Sequence, residues 1–181
     1  MGTATLTSPD VYLSTSYEPD KELVNGVLVE RNVGTQLHGL LQTLVAIFFS
    51  QYRKTHRIKV FTETRLLVDA ATNRYRIPDV LVLRIPYQKG KVVTDVPAVV
   101  VEIKSPDDTF DDIVDRCFDY ENLNPGATEN ILVMDPDNQR AWIFRRGNLQ
   151  ILAGISIKLP IAPSLEIDFH FAQLFAELDE D

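Results

Sequence analysis

The chain has 181 residues, of which 45% are hydrophobic and 24% are charged. This composition fits one globular domain with a sizeable core and excludes a disordered or collagen-like chain. The net charge of -8 disfavours a nucleic-acid partner, but the stretch 51–104 carries 11 Lys and Arg against 5 Asp and Glu, which weakens that objection. Solvated strand edges and loops would explain this basic stretch equally well. A single cysteine, Cys117, excludes an internal disulfide and a cysteine-based zinc site. The chain contains neither a membrane-length apolar stretch nor a secretory signal, and we therefore expect a cytoplasmic location.

The first predicted elements are a β-hairpin and a long helix. Asn25-Gly26 separates two short apolar runs and readily adopts the positive backbone angles of a two-residue turn. Apolar residues then recur at helical spacing over residues 37–48, which predicts a helix that ends near His56. The β-rich run at 58–68 predicts one strand.

Two strands in the middle of the chain are predicted to be central in a sheet. They begin at Pro78 and Ala98, and both are nearly continuous in Val, Leu and Ile, as in strands covered on both faces. Thr109 and Asp112 form a capping-box pattern that predicts a second helix, and three more short strands follow it. This order of elements predicts a mixed sheet flanked by helices, in the α/β or α+β class. We expect a tail at 1–16, one domain at 17–176 and an acidic tail at 177–181.

Three charged residues on the two central strands form the most informative pattern. Asp79 begins the first of these strands, and Glu102 and Lys104 lie near the end of the second. Residues two apart in a strand point to the same face, so Glu102 and Lys104 are predicted to project together. With Asp79 beside them, the two carboxylates could hold a hard cation such as magnesium, with the main-chain carbonyl of Ile103 as a third ligand. A same-face ion pair between Glu102 and Lys104 is the alternative, but charges within an apolar strand are unfavourable unless they are paired or metal-bound.

This pattern resembles the PD-(D/E)xK nuclease superfamily, which includes many restriction endonucleases. The hairpin ELVNGVLVE, the later PDV, the run PAVVVEIKSP and the following helix resemble more narrowly the Uma-type putative restriction endonuclease family, formerly a domain of unknown function. The similarity covers roughly residues 17–146. It implies a restriction-endonuclease-like fold with a mixed central sheet and an N-terminal hairpin. The intact Glu102-Ile103-Lys104 favours activity, because many members of the family lack the lysine.

The resemblance implies a DNA endonuclease that uses magnesium or manganese to hydrolyse phosphodiester bonds. Asp79 and Glu102 would be the metal ligands, and Lys104 would orient the attacking water or stabilise the negative charge of the transition state. Restriction-type nucleases often act as dimers because two strands need two sites, so the resemblance also implies a homodimer. The pattern leaves two alternatives open: a catalytically inactive module of the same fold that binds nucleic acid or protein, and hydrolysis of another phosphoester.

Several other residues are accessory candidates. Glu30 closes the hairpin and Glu63 precedes Asp79 by one strand, and either could add a carboxylate or simply be exposed. Gln36 and His38 begin the first helix and could face the site or only cap the helix.

The second helix supplies two more candidates. Arg116 and Tyr120 lie one turn apart on it and could contact a phosphate, although Tyr120 could equally pack at the margin of the core. Cys117 falls on the apolar face of this helix and is interpreted as a core residue. The six aspartates between 107 and 119 lack the glycine and the ligand order of an EF-hand loop, and the helix dipole accounts for acids near the start of the helix.

Overall fold

The described part of the protein combines two sheets, a short hairpin and four helices. The structure is a computed structural model that describes residues 5–32, 34–123 and 128–179. In chain order the elements are α1 (Pro9–Ser14), β1 (Lys21–Val24), β2 (Val27–Glu30), α2 (Gln36–Ser50), β3 (Ile58–Thr62), β4 (Leu66–Asp69), β5 (Arg74–Arg76), β6 (Val80–Arg84), β7 (Val99–Ile103), α3 (Phe110–Glu121), β8 (Asn130–Asp135), β9 (Arg140–Arg145), β10 (Asn148–Ile151), β11 (Ile157–Ala162), β12 (Leu165–Phe169) and α4 (Phe171–Ala176).

A six-stranded mixed sheet with the order β10-β9-β8-β7-β6-β3 forms the centre of the protein. The pair β7 and β8 is parallel, and the other neighbours are antiparallel. Every residue of β7 and of β8 is buried, as expected for central strands covered on both faces. The predicted mixed sheet flanked by helices is confirmed.

The two faces of this sheet carry separate apolar cores. Leu41, Val45 and Phe49 of α2 pack on one face, together with Val80 of β6 and Val101 of β7. On the other face, Ile113, Cys117 and Tyr120 of α3 pack with residues such as Leu81 and Val100. Side chains alternate between the faces of a strand, so Asp79 and Glu102 fall on the α3 side with Leu81 and Val100. Cys117 is a buried core residue, as predicted.

A four-stranded sheet, β2-β1-β5-β4, contains the predicted hairpin. Asn25 and Gly26 have φ values of 52° and 79°, the left-handed backbone that the turn requires. The segment expected to be an N-terminal tail contains α1, whose Tyr12 is fully buried against Leu23 and Tyr75. Residues 1–4 of that tail and residues 180–181 of the expected acidic tail lie outside the described residues.

Two predicted elements differ in the structure. The run at 58–68, predicted as one strand, is divided at Glu63, which has a φ of 46°. β3 pairs with β6 in the central sheet, whereas β4 pairs with β5 in the smaller sheet, so the break passes the chain between the two sheets. The first long helix ends at Ser50 rather than near His56, and turns continue to Arg57. Within the part of the chain that the structure describes, no helix has the length and the hydropathy needed to cross a membrane.

Candidate active site

Asp79 lies at the start of β6, where it is tied to the neighbouring strand. It is 2% exposed. The backbone N–H of Ile103 donates to its Oδ2 at 2.6 Å, and Arg31 Nη2 donates to its Oδ1 at 2.9 Å. His38 Nε2 lies 3.5 Å from Oδ2. Burial works to raise the pKa of Asp79, but the hydrogen bond from His38 and the charge of Arg31 outweigh it, so the pKa lies below the usual value. Asp79 is therefore held as a carboxylate.

Glu102, in β7, is equally buried at 3% exposed, but its environment is different. The Tyr120 hydroxyl donates to Oε1 at 2.6 Å. Arg116 Nε lies 3.0 Å from Oε2, in an ion pair whose angles are not those of a hydrogen bond. Burial, assisted by the charge of Asp79, raises the pKa of Glu102 to about 7, although Arg116 and Tyr120 act in the opposite direction. The two carboxyl groups thus have pKa values displaced in opposite directions, a feature common in active sites.

Both carboxylates line one cavity of about 350 Å³ between the hairpin, α3 and the ends of β6 and β7. Eight carboxylate residues line the cavity, against three arginines and one histidine, so the excess of negative charge favours a bound cation. The ionisable lining residues are Glu22, Glu30, Arg31, His38, Arg76, Asp79, Glu102, Asp107, Asp108, Asp112, Asp115 and Arg116.

Lys104 follows the last residue of β7, and its projection on the same face as Glu102 stays a prediction. β7 ends at Ile103, although the backbone N–H of Lys104 still donates to Met134 O at 2.8 Å. Lys104 is half-buried and lies outside the cavity lining, and its Nζ donates to the carbonyl of Ser105 at 3.2 Å. Since Ser105 does line the cavity, the ammonium group lies beside the cavity wall.

The structure brings four of the six accessory candidates to the site. His38 and Arg116 contact the two carboxylates, Tyr120 hydrogen-bonds to Glu102, and Glu30 lines the cavity. The other two lie outside the lining. Glu63 is exposed, with Oε1 at 4.0 Å from Arg31 Nη1, and Gln36 is exposed at the first turn of α2.

Several residues at the site were not singled out from the sequence. Arg31 follows β2 directly and reaches Asp79 across 48 positions of the chain. Glu22 accepts from Arg76 at 2.8 Å and from the backbone N–H of Ile77 at 2.8 Å. Gln42, one turn after His38 on α2, donates to the main-chain carbonyl of Asp79 at 3.1 Å. For Glu22, the one available signal in the sequence was a charged residue within the predicted hairpin strand KELV. Arg31 carries no local signal because its partner lies in another sheet.

The donor chemistry of the cavity fits a hard divalent cation. Asp79 and Glu102 supply carboxylate oxygens on the same cavity wall. Among the described residues, no group of three or more His, Cys, Asp or Glu side chains is placed to hold a metal ion. Divalent cations such as magnesium can be held by one or two protein carboxylates, with water and substrate phosphate at their other positions. The ligand role of the Ile103 carbonyl stays a prediction.

Comparison with known proteins identifies a family. The model of the Uma2 family, described as "Putative restriction endonuclease", matches residues 10–169. A search of curated proteins finds no match to this chain.

Two solved structures resemble this one to different degrees. The first is the crystal structure of a putative nuclease belonging to DUF820 from Anabaena variabilis ATCC 29413. It has a TM-score of 0.73 and 20% sequence identity, and the match covers 93% of this chain and 97% of that chain. At this identity the similarity shows the fold. A DrdV–DNA complex matches with a TM-score of 0.37 and 16% identity over 79% of this chain and 13% of that chain, too weak a similarity for any argument.

Proposed function

The chain belongs to the Uma2 family of putative restriction endonucleases, and from this premise we propose that it is a metal-dependent endonuclease that hydrolyses DNA phosphodiester bonds. The observation that carries the proposal is the pair of buried carboxylates, Asp79 and Glu102, on the wall of one strongly acidic cavity. Magnesium or manganese is the cofactor that this donor set would hold.

Some residues of the chain would bind the metal ion, and others would hold those ligands in place. Asp79 and Glu102 would hold the ion, and His38, Arg31, Tyr120 and Arg116 keep their carboxyl groups oriented. A bound divalent ion would neutralise the charge of the phosphate and lower the pKa of the water that it coordinates.

Lys104 is proposed as the catalytic cation. Its ammonium group lies beside the cavity wall at Ser105, from where it would orient the attacking water or stabilise the charge of the transition state.

The first experiment is cleavage of plasmid and single-stranded DNA by the purified protein with magnesium, manganese or a chelator. We expect nicking that depends on the metal. In Lys104→Ala, nicking should fall by at least about 100-fold, because a charge that stabilises the transition state is removed. Lys59→Ala removes an exposed lysine from β3 and serves as the matched control, with activity unchanged. If the folded protein cuts neither substrate, the endonuclease proposal is wrong; if Lys104→Ala cuts at the rate of the control, only the role of Lys104 is wrong.

A second function is favoured by two observations. Lys104 does not line the cavity, and both carboxylates are already paired with arginines. That arrangement fits an inactive module of the nuclease fold that binds nucleic acid or protein. Thermal unfolding with manganese separates the two functions. An endonuclease should melt at a higher temperature with the ion, and Asp79→Ala should lose this increase. A melting temperature that does not change with manganese would favour the module.

A further inference from the structure

Arg31 stands at the centre of the contacts around Asp79. Its Nη2 donates to Asp79 Oδ1 at 2.9 Å, and its Nη1 lies 4.0 Å from Glu63 Oε1. The guanidinium group is therefore shared between a buried carboxylate and an exposed one. Its side chain is 21% exposed, so it lies at the mouth of the cavity rather than in the core.

The contacts of Asp79 leave little room for another cation. Oδ2 accepts from the Ile103 backbone N–H and lies near His38, whereas Oδ1 is bound by Arg31. The Ile103 donor belongs to the central sheet and is fixed. Arg31 lies just past the end of β2 on a flexible side chain, and Glu63 gives its charge a second partner. Arg31 is thus the side chain that occupies Asp79 Oδ1, the oxygen that no backbone N–H binds, and a second acid is already within its reach.

Resting on the proposed function, we propose that Arg31 and the divalent ion compete for Asp79, and that Arg31, once displaced toward Glu63, binds a phosphate of the nucleic-acid strand. Arginine suits the second role because its fork of N–H donors matches phosphate oxygens. Arg31 would then neutralise the charge of Asp79 when the site holds no ion, and the charge of a substrate phosphate when the ion is bound. In the acidic cavity such a cation would offset the repulsion between phosphate and the carboxylates.

The test measures ion binding and oligonucleotide binding without cleavage. Manganese binding is followed by electron paramagnetic resonance of the free ion. Oligonucleotide binding is followed by fluorescence anisotropy in calcium, with a short single-stranded DNA as the probe. Arg31→Gln should bind manganese about tenfold more tightly, because the competing charge is gone. The same variant should bind the oligonucleotide more weakly.

Two control variants separate local competition from a change in overall charge. Arg53→Gln removes an exposed arginine after α2 and should change neither measurement. Arg31→Lys keeps a competing charge but loses the fork, so its manganese affinity should stay near that of the unaltered protein while oligonucleotide binding weakens.

The unaltered protein gives an independent measurement should Arg31→Gln fail to fold. In ¹⁵N NMR spectra, magnesium should shift the side-chain resonances of Arg31 and leave those of Arg53 unchanged. Manganese affinity in Arg31→Gln equal to or weaker than that of the unaltered protein would overturn the inference, as would Arg31 resonances that magnesium does not shift. Metal-dependent cleavage together with either result would leave the proposed function intact. If Arg31→Gln binds manganese more tightly but the unaltered protein cuts no DNA, the competition between Arg31 and the ion is supported and the proposed nuclease activity is wrong.

Discussion

The two carboxyl groups of the candidate site lie close together but differ in what surrounds them. Asp79 contacts a backbone N–H, Arg31 and His38, whereas Glu102, which is buried to the same degree, contacts one hydroxyl and one arginine. The balance between burial and charged partners therefore places their pKa values on opposite sides of the usual range. Glu102 is the group whose charge changes near neutral pH.

A dependence of stability on pH follows from Glu102. Its pKa rises from 4.5 to about 7 on folding, so the folded protein binds a proton in this range that the unfolded chain has lost. Stability should therefore fall as the pH rises from about 4.5 to about 7, by up to about 3 kcal/mol. Urea unfolding in chelator at several pH values, compared with Glu102→Gln, measures this contribution. Parallel pH profiles for the two proteins would show that Glu102 has no raised pKa.

Three elements around the cavity bring side chains to it. The hairpin β1–β2 leads directly into Arg31, the start of α2 brings His38 and Gln42, and α3 brings Arg116 and Tyr120. The capping box of Thr109 and Asp112 fixes the first turn of α3. Because β2 leads directly into Arg31, the geometry of the hairpin turn sets where Arg31 enters the site.

Two glycines, one in the hairpin turn and one in α2, provide a matched pair of substitutions. Gly26 has a φ of 79°, and an added Cβ would lie 3.3 Å from Leu6 Cδ2, so Gly26→Ala should destabilise the protein by about 1–2 kcal/mol. Gly39 lies within α2, where an added Cβ meets nothing within 4 Å, so Gly39→Ala should stabilise by about 0.5–1 kcal/mol. Urea midpoints measure both changes. Effects of the same sign in the two variants would contradict the conformational explanation.

On the scale of the whole protein, a buried ion-pair network joins the small sheet to α3. Arg76 donates to Glu22 at 2.8 Å, to Asp115 at 2.6 Å and to Asp119 at 2.5 Å. Arg74 reaches Asp119 at 2.7 Å. Glu22, Arg76 and Asp115 also line the cavity, so this network sets the distance between two of its walls.

Removal of Arg76 should therefore affect the whole fold. Arg76→Met introduces an apolar side chain of similar length, which leaves the buried Glu22 without its cation and Asp119 with Arg74 alone, so we expect a loss of about 3–5 kcal/mol. Lys158→Met breaks the exposed pair with Glu166 and should change stability by less than about 1 kcal/mol. Thermal and urea unfolding measure both variants. A loss from Arg76→Met as small as that of the control would mean that the network adds nothing to stability.

The amino-acid sequence by itself determined the local structure and the key pair of acids. Apolar periodicity predicts α2 and the two central strands, Asn25-Gly26 predicts the hairpin turn, and Thr109 with Asp112 predicts the start of α3, because each depends on residues a few positions apart. Alternation along the second central strand also predicts that Glu102 and Lys104 share a face, whereas the register between β6 and β7 is what places Asp79 on the side of Glu102.

Only the tertiary structure decided which groups surround those acids. Arg31 lies 48 positions from Asp79, and Arg76 lies 54 positions from Glu22, so no pattern of neighbouring residues links them. The division of the run at 58–68 between two sheets likewise depends on which strands are available for pairing. Lys104 shows the same limit: strand alternation predicts that it projects with Glu102, but only the folded chain shows that its ammonium donates to the carbonyl of Ser105. Charge pairing and strand pairing are long-range interactions, and the folded chain alone brings their partners together.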